Sequence, residues 1–239
     1  MSNNAIKTEN LDRSFGNVHA CDNISMTVKK GSVYGLIGRN GAGKTTFMKL
    51  LLGLTKPNSG QMELLGYSGK DINIARAKTG FIIESPSFYD NMSAFDNLMI
   101  RAKLIGIENP KEKIEEALNK LNLKGKGKTK VKNFSLGMKQ NLGIASAILG
   151  EPELLILDEP VNGLDPIAIV KVREVLIDLV KKGTTILISS HILGEIQKLC
   201  TCYGFILDGK LVKEVTETEL EEKNIDLEKL FVETAKGEF

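Results

Sequence analysis

The sequence predicts an α/β fold in which helices cover a mostly parallel β-sheet and an all-helical lobe interrupts the core. Three observations indicate this. Short apolar runs typical of buried strands occur in the first part of the chain and return after residue 152. Between residues 93 and 150 the apolar residues follow the helical period instead. A glycine-rich loop also stands between a strand pattern and a helix pattern, as in the strand–loop–helix units of α/β proteins.

Local patterns predict the individual elements. Residues 5 to 37 are expected to form short strands with turns, for example a strand at 24–28. Strands end at turn residues, and the helix at 167–182 ends at Gly183. The later elements are predicted as a strand at 32–37, a helix at 47–52, strands at 60–66 and 80–84, helices along 95–105, 114–121 and 136–149, a strand at 154–157, a helix at 167–182 and a strand at 184–188.

Two segments carry little information. Lysine occupies every second position from 124 to 132, which predicts a solvated, flexible loop, with a phosphate or partner contact as the alternative. From Thr216 the chain is charged and prone to helix, without recognisable chemistry. We predict one domain over residues 1–239, with a core at 1–86 and 152–215, a helical subdomain at 87–151 and a helical tail at 216–239.

The composition excludes several classes of function. The chain has 239 residues, 42 % of them hydrophobic, and a net charge of +2, so no overall field favours nucleic acid or membrane lipid. Arginine, which base recognition favours, is scarce beside lysine. There is no signal peptide and no apolar run of about 18 residues, so we expect no direct membrane insertion. Cys21, Cys200 and Cys202 fit no disulfide framework or zinc site and predict reduced thiols in the cytoplasm.

The segment from Gly38 to Thr45 fits the phosphate-binding pattern G-x-x-x-x-G-K-[ST] at every fixed position. Glycines allow the backbone to form a nest whose N–H groups point at a phosphate. Lys44 supplies a charge for the β- and γ-phosphates, and the Thr45 hydroxyl is placed to hold Mg²⁺. A dinucleotide loop is the alternative, but Thr46 occupies its third glycine position. The pattern therefore favours a nucleoside triphosphate.

Two adjacent acids follow the apolar strand at 154–157. Open α/β folds bind ligands at the carboxyl edge of the sheet, so we expect Asp158 and Glu159 to lie near the phosphate loop. Side chains alternate along an extended segment, so the two acids cannot share one task. We expect Asp158 to hold Mg²⁺, directly or through water, and Glu159 to act as general base on the attacking water.

Two weaker features fit the same site. His191 ends the strand after the acidic one and is expected to reach the γ-phosphate edge, with a structural histidine as the alternative. Ser135 is predicted to cap the third helix of the lobe, which leaves N–H groups and the positive end of the helix dipole free for a phosphate. A plain N-cap without a ligand fits that spacing equally well.

Together these motifs resemble the nucleotide-binding subunit of an ATP-binding cassette (ABC) transporter over residues 6 to about 215. The resemblance implies a P-loop NTPase (ABC ATPase) core with an N-terminal antiparallel β part, and hydrolysis of ATP with Mg²⁺. Five segments are similar to the family motifs: 38–45 to Walker A, 154–159 to Walker B with its catalytic glutamate, 134–138 to the signature, 162–165 to the D-loop and His191 to the switch histidine.

The resemblance also implies particular contacts. Phe15 stands where the family places an aromatic ring that stacks on adenine, although the residue pattern alone favours a core position. Lys44, Glu159 and His191 would be catalytic. The implied nucleotide contacts beyond Phe15 are Gly38, Asn40, Gly41, Gly43, Lys44, Thr45, Thr46, Ser135, Gly137 and Asp165.

A dimeric mechanism follows from the same resemblance. Two copies would associate head to tail, so that each ATP lies between Lys44 of one copy and Ser135 and Gly137 of the other. Closure on ATP and opening after hydrolysis would drive a membrane-spanning permease. Glu159 and His191 both occur in this chain, so we expect a homodimer, with a heterodimer as the alternative. The permease would hold the cytoplasmic subunit at the inner face of a bacterial membrane.

The chain departs from the family pattern in three ways. Glu84 replaces the Q-loop glutamine, and a carboxylate there can meet Mg²⁺ or water. In the signature, Leu136 and Met138 replace glycine and glutamine, and Asn141 stands where arginine is usual. Glu84 and the signature are similar to the bacitracin- and lantibiotic-type exporters. The resemblance therefore predicts export of, or immunity to, a peptide antibiotic or similar amphiphile.

Other functions fit the sequence less well. ABC-type ATPases of DNA repair or chromosome organisation carry long coiled coils between Walker A and signature, where this chain has only a compact lobe. Translation-associated ABC proteins hold two cassettes, and this chain has no second phosphate loop. A binding module without turnover would not retain Glu159 and His191. An importer or a lipid-type transporter ATPase stays open as an alternative.

Overall fold

The computed structural model describes residues 3–236, so the ends of the predicted domain 1–239 and of the predicted tail 216–239 lie outside the described residues. In chain order the elements are β1 (Asn4–Phe15), β2 (Val18–Lys29), β3 (Val33–Ile37), α1 (Lys44–Leu52), β4 (Ser59–Leu64), β5 (Tyr67–Ser68), α2 (Ile72–Ala77), β6 (Thr79–Ile82), α3 (Ala94–Leu104), α4 (Pro110–Lys120), α5 (Leu136–Ile148), β7 (Leu154–Asp158), α6 (Pro166–Lys181), β8 (Thr185–Ser189), α7 (Leu193–Gln197), β9 (Cys202–Leu207), β10 (Lys210–Thr216), α8 (Glu217–Glu222) and α9 (Leu227–Lys236).

The larger sheet has the strand order β10-β9-β3-β8-β7-β6. The strands from β9 to β6 run parallel, and β10 pairs antiparallel with β9 at one edge. Every residue of β3, β7 and β8 is buried, as expected for a parallel sheet that is covered on both faces. The predicted mostly parallel sheet is therefore confirmed. Its parallel strands bring the segments after β3, β7 and β8 to one edge.

The smaller sheet is antiparallel and has the order β2-β1-β4-β5, which confirms the predicted antiparallel N-terminal part. The prediction of short strands there was wrong, because β1 and β2 each extend over 12 residues. Their pairing shifts register between Thr8 and Leu11, and Asn10 and Asn23 have φ angles of 48° and 54°. Such irregularities break the apolar–polar alternation, so one long strand resembles several short ones.

The helical lobe consists of α3, α4 and α5 and lies between β6 and β7 in the chain. Its helices pack through their apolar faces, where Leu98, Ile114 and Leu142 are fully buried. The lysines of segment 124–132 are exposed, as predicted. Backbone N–H groups at the start of α3 donate to carbonyl oxygens of this segment, which fixes it against the lobe.

Two C-terminal strands were missed by the sequence patterns. β9 contains Gly204, where an added Cβ would lie 2.1 Å from the hydroxyl oxygen of Tyr34, so the phenol requires glycine there. A glycine inside β9 and the polar face of β10 weaken the period-2 signal of both strands. The tail forms α8 and α9, and a capping box between Thr216 and Glu219 begins α8. Within residues 3–236, no helix has the length and apolar character needed to cross a bilayer.

Candidate functional site

The loop between β3 and α1 has the geometry of a phosphate cradle. Gly41 and Gly43 have φ angles of 83° and 108°, which residues with a side chain rarely adopt. At Gly43 an added Cβ would lie 2.1 Å from the carbonyl oxygen of Ala20 on β2, so only glycine fits. The loop leads directly into the N-terminus of α1, where free N–H groups and the helix dipole favour an anion.

Lys44 spans this loop from the first turn of α1. Its Nζ donates to the carbonyl oxygens of Gly38 at 2.7 Å and Arg39 at 3.2 Å, and the side chain is only 6 % exposed. Burial lowers the pKa of Lys44, and the charges of Glu159 and Asp158 partly oppose that shift. Oε1 of Glu159 lies 4.0 Å from Nζ. A buried cation that is bonded to neutral carbonyls is well suited to accept a phosphate as its partner.

Thr45 joins α1 to the end of β7. Its hydroxyl donates to Oδ2 of Asp158 at 2.6 Å, and the hydroxyl of Ser189 donates to Oδ1 at 2.6 Å. Asp158 is buried, and it stands opposite Ser189 in the pairing of β7 with β8. A hydroxyl and a carboxylate held side by side are oxygen ligands of the kind that Mg²⁺ prefers. Within residues 3–236 no three histidine, cysteine or acidic side chains cluster to hold a metal.

Glu159 follows β7 in a left-handed conformation with φ 50°. Its N–H donates to the carbonyl oxygen of Ser189 at 3.2 Å and to the Ser189 hydroxyl at 3.0 Å. Oε2 accepts a hydrogen bond from the His191 N–H at 3.2 Å and lies 2.8 Å from its Nδ1. Oε1 is buried and has no hydrogen-bond partner among the described residues. A fixed carboxylate with one unpaired oxygen beside the phosphate loop can accept a proton from water.

Glu84 lies two residues beyond the end of β6, at the same edge of the sheet. Its φ angle is 59° and its side chain is 65 % exposed. Oε1 of Glu84 accepts a hydrogen bond from Nζ of Lys49, on α1, at 2.6 Å. The acid that replaces the family glutamine is therefore paired with a lysine of the helix that follows the phosphate loop.

Phe15 ends β1 and pairs with Val18 at the start of β2. Its side chain is 50 % exposed, so it lies outside the core that the residue pattern alone favoured. The guanidinium of Arg13 lies 4.4 Å from the ring centroid and covers one face of the ring. Further along β2, Ala20 lies against Gly43. The strand β2 therefore links the end of β1, which carries the exposed ring, to the phosphate loop.

The remaining predicted nucleotide contacts, on α5 and at the start of α6, form a second group. Ser135 caps α5 and Asp165 caps α6, and each side chain accepts a hydrogen bond from an N–H three residues later, at 3.2 and 2.9 Å. Gly137 faces the turn before α6, since an added Cβ would lie 3.4 Å from the carbonyl oxygen of Gly163. Leu136 between them is 66 % exposed. Among the described residues, no hydrogen bond or ion pair joins this group to the phosphate loop.

The lobe and the acidic strand are joined by a buried contact. Nε2 of Gln140, on α5, donates to the carbonyl oxygen of Pro160 at 2.9 Å. Pro160 directly follows Glu159, so the lobe is bonded to the segment that carries this acid. The neighbouring Asn141 has a buried Oδ1 without a hydrogen-bond partner among the described residues, and nothing in the structure explains this asparagine.

The sequence predicted the residues of the phosphate loop and of the strand ends, but it did not predict three residues that contact the predicted ones. Of the remaining loop residues, Asn40 is exposed and Thr46 is half-buried on α1. The residues missed were Ser189, Lys49 and Arg13. Ser189 and Lys49 contact predicted site residues from other elements, whereas Arg13 covers the Phe15 ring from the same strand, β1. Of these three, only Ser189 could have been found from the sequence pattern. It is the last residue of β8, and the pairing of the parallel strands β7 and β8 sets it beside Asp158, the last residue of β7.

A sequence model of the family described as ABC transporter matches residues 21–162, more than half of this chain. The chain belongs to the ABC transporter family. The bacitracin transport ATP-binding protein BcrA of Bacillus licheniformis is 48 % identical to this ABC protein over 221 residues, or 92 % of this chain and 72 % of BcrA. The lantibiotic transport ATP-binding protein SrtF of Streptococcus pyogenes is 46 % identical over 211 residues, or 87 % of this chain and 90 % of SrtF.

A solved structure described as the ATP binding subunit of an ABC transporter has the same fold. It matches this ABC protein with a TM-score of 0.88 and 29 % identity, over 96 % of this chain and 98 % of that one. These similarities confirm the predicted ABC ATPase fold. They also confirm the predicted identity as an ATP-binding, ATP-hydrolysing subunit that is homologous to the bacitracin- and lantibiotic-type proteins.

Proposed function

We propose that this ATPase subunit powers export of, or immunity to, a peptide antibiotic or similar amphiphile through a membrane-spanning permease. Two relatives with nearly half of their aligned residues identical are named for transport of bacitracin and of a lantibiotic. The permease would hold the subunit at the cytoplasmic face of a bacterial membrane. An importer or lipid-type transporter is the alternative, because the direction of transport rests on these relatives.

The contacts of Glu159 support the proposal that this subunit hydrolyses ATP. Oε2 is fixed by His191, whereas the buried Oε1 has no hydrogen-bond partner among the described residues and lies 4.0 Å from Nζ of Lys44. We assign Oε1 as the general base that takes a proton from the attacking water. His191 orients the carboxylate, and Lys44 exchanges its loop carbonyls for oxygens of the β- and γ-phosphates.

Magnesium fits the oxygen ligands at the end of β7. Thr45 and Asp158 would hold the ion, with Glu84 as a further acid at the same edge. When bound, Mg²⁺ neutralises charge on the phosphates. The 2.6 Å bond between Thr45 and Asp158 supports this assignment, because the two side chains lie adjacent to each other.

The rest of the nucleotide would contact the surface around the phosphate loop. Adenine would stack on the exposed ring of Phe15, whose other face carries the Arg13 guanidinium. The triphosphate would lie along Gly38–Thr46, with Asn40 and Thr46 among its contacts. This assignment is supported by β2, which runs from the ring to Gly43.

A homodimer would complete each site. In residues 3–236, no hydrogen bond or ion pair joins Ser135, Gly137 or Asp165 to the phosphate loop of their own chain, so they are available to a nucleotide bound on a second copy. Exposed apolar side chains beside them, Leu136 and Ile167, support burial of this surface in a complex. We propose the core, helical subdomain and tail at the predicted bounds 1–86 with 152–215, 87–151 and 216–239.

Two variants test the nucleotide chemistry. Lys44→Ala removes the cation and should weaken Mg-ATP binding at least about tenfold in equilibrium dialysis, since a charge-assisted contact is lost. Glu159→Gln removes the base but not the phosphate contacts. It should keep ATP affinity while turnover falls about 10²–10⁴-fold, and it should accumulate an ATP-bound dimer in size-exclusion chromatography. Normal turnover by Glu159→Gln would contradict the role of this residue.

The transported substrate needs a cellular test. The subunit would be expressed with a candidate permease in a sensitive bacterium, and resistance to bacitracin and to a lantibiotic would be measured. The Glu159→Gln variant is the matched control, because it preserves assembly but not hydrolysis. Resistance that is equal with wild type and with this variant would contradict an ATP-driven exporter.

A further inference from the structure

One face of α1 is bonded to two acidic strand ends. Thr45 and Lys49 are four residues apart and so lie on the same face of the helix, one turn from each other. Thr45 donates to Asp158 at the end of β7, and Lys49 donates to Glu84 beyond β6, both at 2.6 Å. The two contacts therefore start from the same face of α1, and Thr45 is the residue nearer to the phosphate loop in the chain.

The two strand ends are built alike. Ile82 on β6 stands opposite Leu157 on β7 in the parallel pairing. Two residues after each of them the chain turns into a left-handed conformation, with φ 59° at Glu84 and φ 50° at Glu159. Adjacent parallel strands lie about 4.8 Å apart, so Glu84 leaves the sheet next to the segment that carries Asp158 and Glu159.

We propose that Lys49 is a positioning residue that pairs with Glu84 and competes with Mg²⁺ for its carboxylate. The ammonium group of Lys49 is the counter-charge that the structure gives Glu84. A divalent ion held beside Thr45 would be a stronger counter-charge, and Glu84 would then be drawn from Lys49. Glu84 is 65 % exposed and Lys49 is 33 % exposed, so water can solvate both groups during the exchange. This inference rests on the proposed magnesium site.

The test measures how strongly Mg²⁺ promotes ATP binding. ATP affinity is determined by equilibrium dialysis in Mg²⁺ titrations and in EDTA, for wild type, Lys49→Met, Glu84→Gln and the double variant. Exposed ion pairs of this kind shift equilibria by about two- to fivefold. Lys49→Met should therefore lower the Mg²⁺ concentration for half-maximal binding by about that factor, and it should have no such effect in the Glu84→Gln background.

Lys78→Met is the matched control, because Lys78 forms an ion pair of similar length, 2.7 Å to Glu153, away from the phosphate loop. It should leave the Mg²⁺ dependence unchanged. Two outcomes overturn the inference: an unchanged Mg²⁺ dependence in Lys49→Met, or an equal shift with and without the Glu84 carboxylate. A wild-type protein whose ATP binding ignores Mg²⁺ would instead contradict the magnesium site itself.

Discussion

Replacing Ser189 by alanine should destabilise the protein through a residue that does not touch the nucleotide. The side chain is fully buried, and its hydroxyl is one of two that bond the buried carboxylate of Asp158. Ser189→Ala leaves Oδ1 of Asp158 without that donor, and a hydrogen bond to a charged group contributes about 1.5–3 kcal/mol. The N–H of Glu159 loses the hydroxyl but keeps the Ser189 carbonyl oxygen at 3.2 Å, so this second contact adds little.

The expected loss is therefore about 2–3 kcal/mol, or about 4–12 °C in melting temperature for a chain of this size. Urea and thermal unfolding of the nucleotide-free protein would measure it. Ser190→Ala is the matched control, because the hydroxyl of Ser190 accepts a hydrogen bond only from the uncharged N–H of Ile192, at 3.0 Å, and its loss should cost about 0.5–1.5 kcal/mol. Small and equal losses of unfolding free energy in Ser189→Ala and Ser190→Ala would contradict a special contribution of the bond from Ser189 to Asp158.

Three further outcomes follow from the structure. Gly43→Ala should abolish ATP binding in dialysis, because its Cβ would lie 2.1 Å from a carbonyl oxygen of β2. Gly41→Ala meets no neighbouring atom and should cost only about 1–2 kcal/mol of left-handed strain in a melting experiment. Burial raises the pKa of Cys202 to about 11 and that of Cys21 to about 12, so iodoacetamide at about pH 8 should modify the native thiols slowly and the unfolded thiols fast. Burial lowers the pKa of Lys44, whereas a phosphate favours its protonated form. ATP affinity should therefore be full below that lowered pKa and fall as the pH rises through it towards 10.5. A Lys44→Arg variant should show no such fall.

The phosphate loop could be predicted because its geometry is local. Residues 38–45 are contiguous, and the positive φ angles at Gly41 and Gly43 favour glycine at both positions whatever other elements surround the loop. Asp158 and Glu159 could be predicted almost as directly, since they end a strand that is apolar on both faces. Ser189 and Lys49 could not be assigned in the same way, because their importance arises only from their partners on other elements.

The strands that are buried along their whole length could be predicted from the sequence. The bounds of β1, β2 and β9 could not. β3, β7 and β8 form continuous apolar runs, so their pattern is clear. In β1 and β2, register shifts interrupt the alternation, and in β9 a glycine accommodates the Tyr34 phenol. The shifts arise from the pairing of β1 with β2, and the glycine from a contact between two strands that are distant in sequence. Periodicity within one segment contains neither kind of information.

The bond from Gln140 to the Pro160 carbonyl oxygen links the orientation of the lobe to the segment that carries Glu159, the proposed general base. When α5 rotates, it must either break this bond or displace the peptide group that immediately follows Glu159. Substitutions in α3 or α4 that tilt the lobe should therefore alter the catalytic rate constant without altering nucleotide affinity. Force applied to the lobe by a permease would reach the catalytic water along the same route.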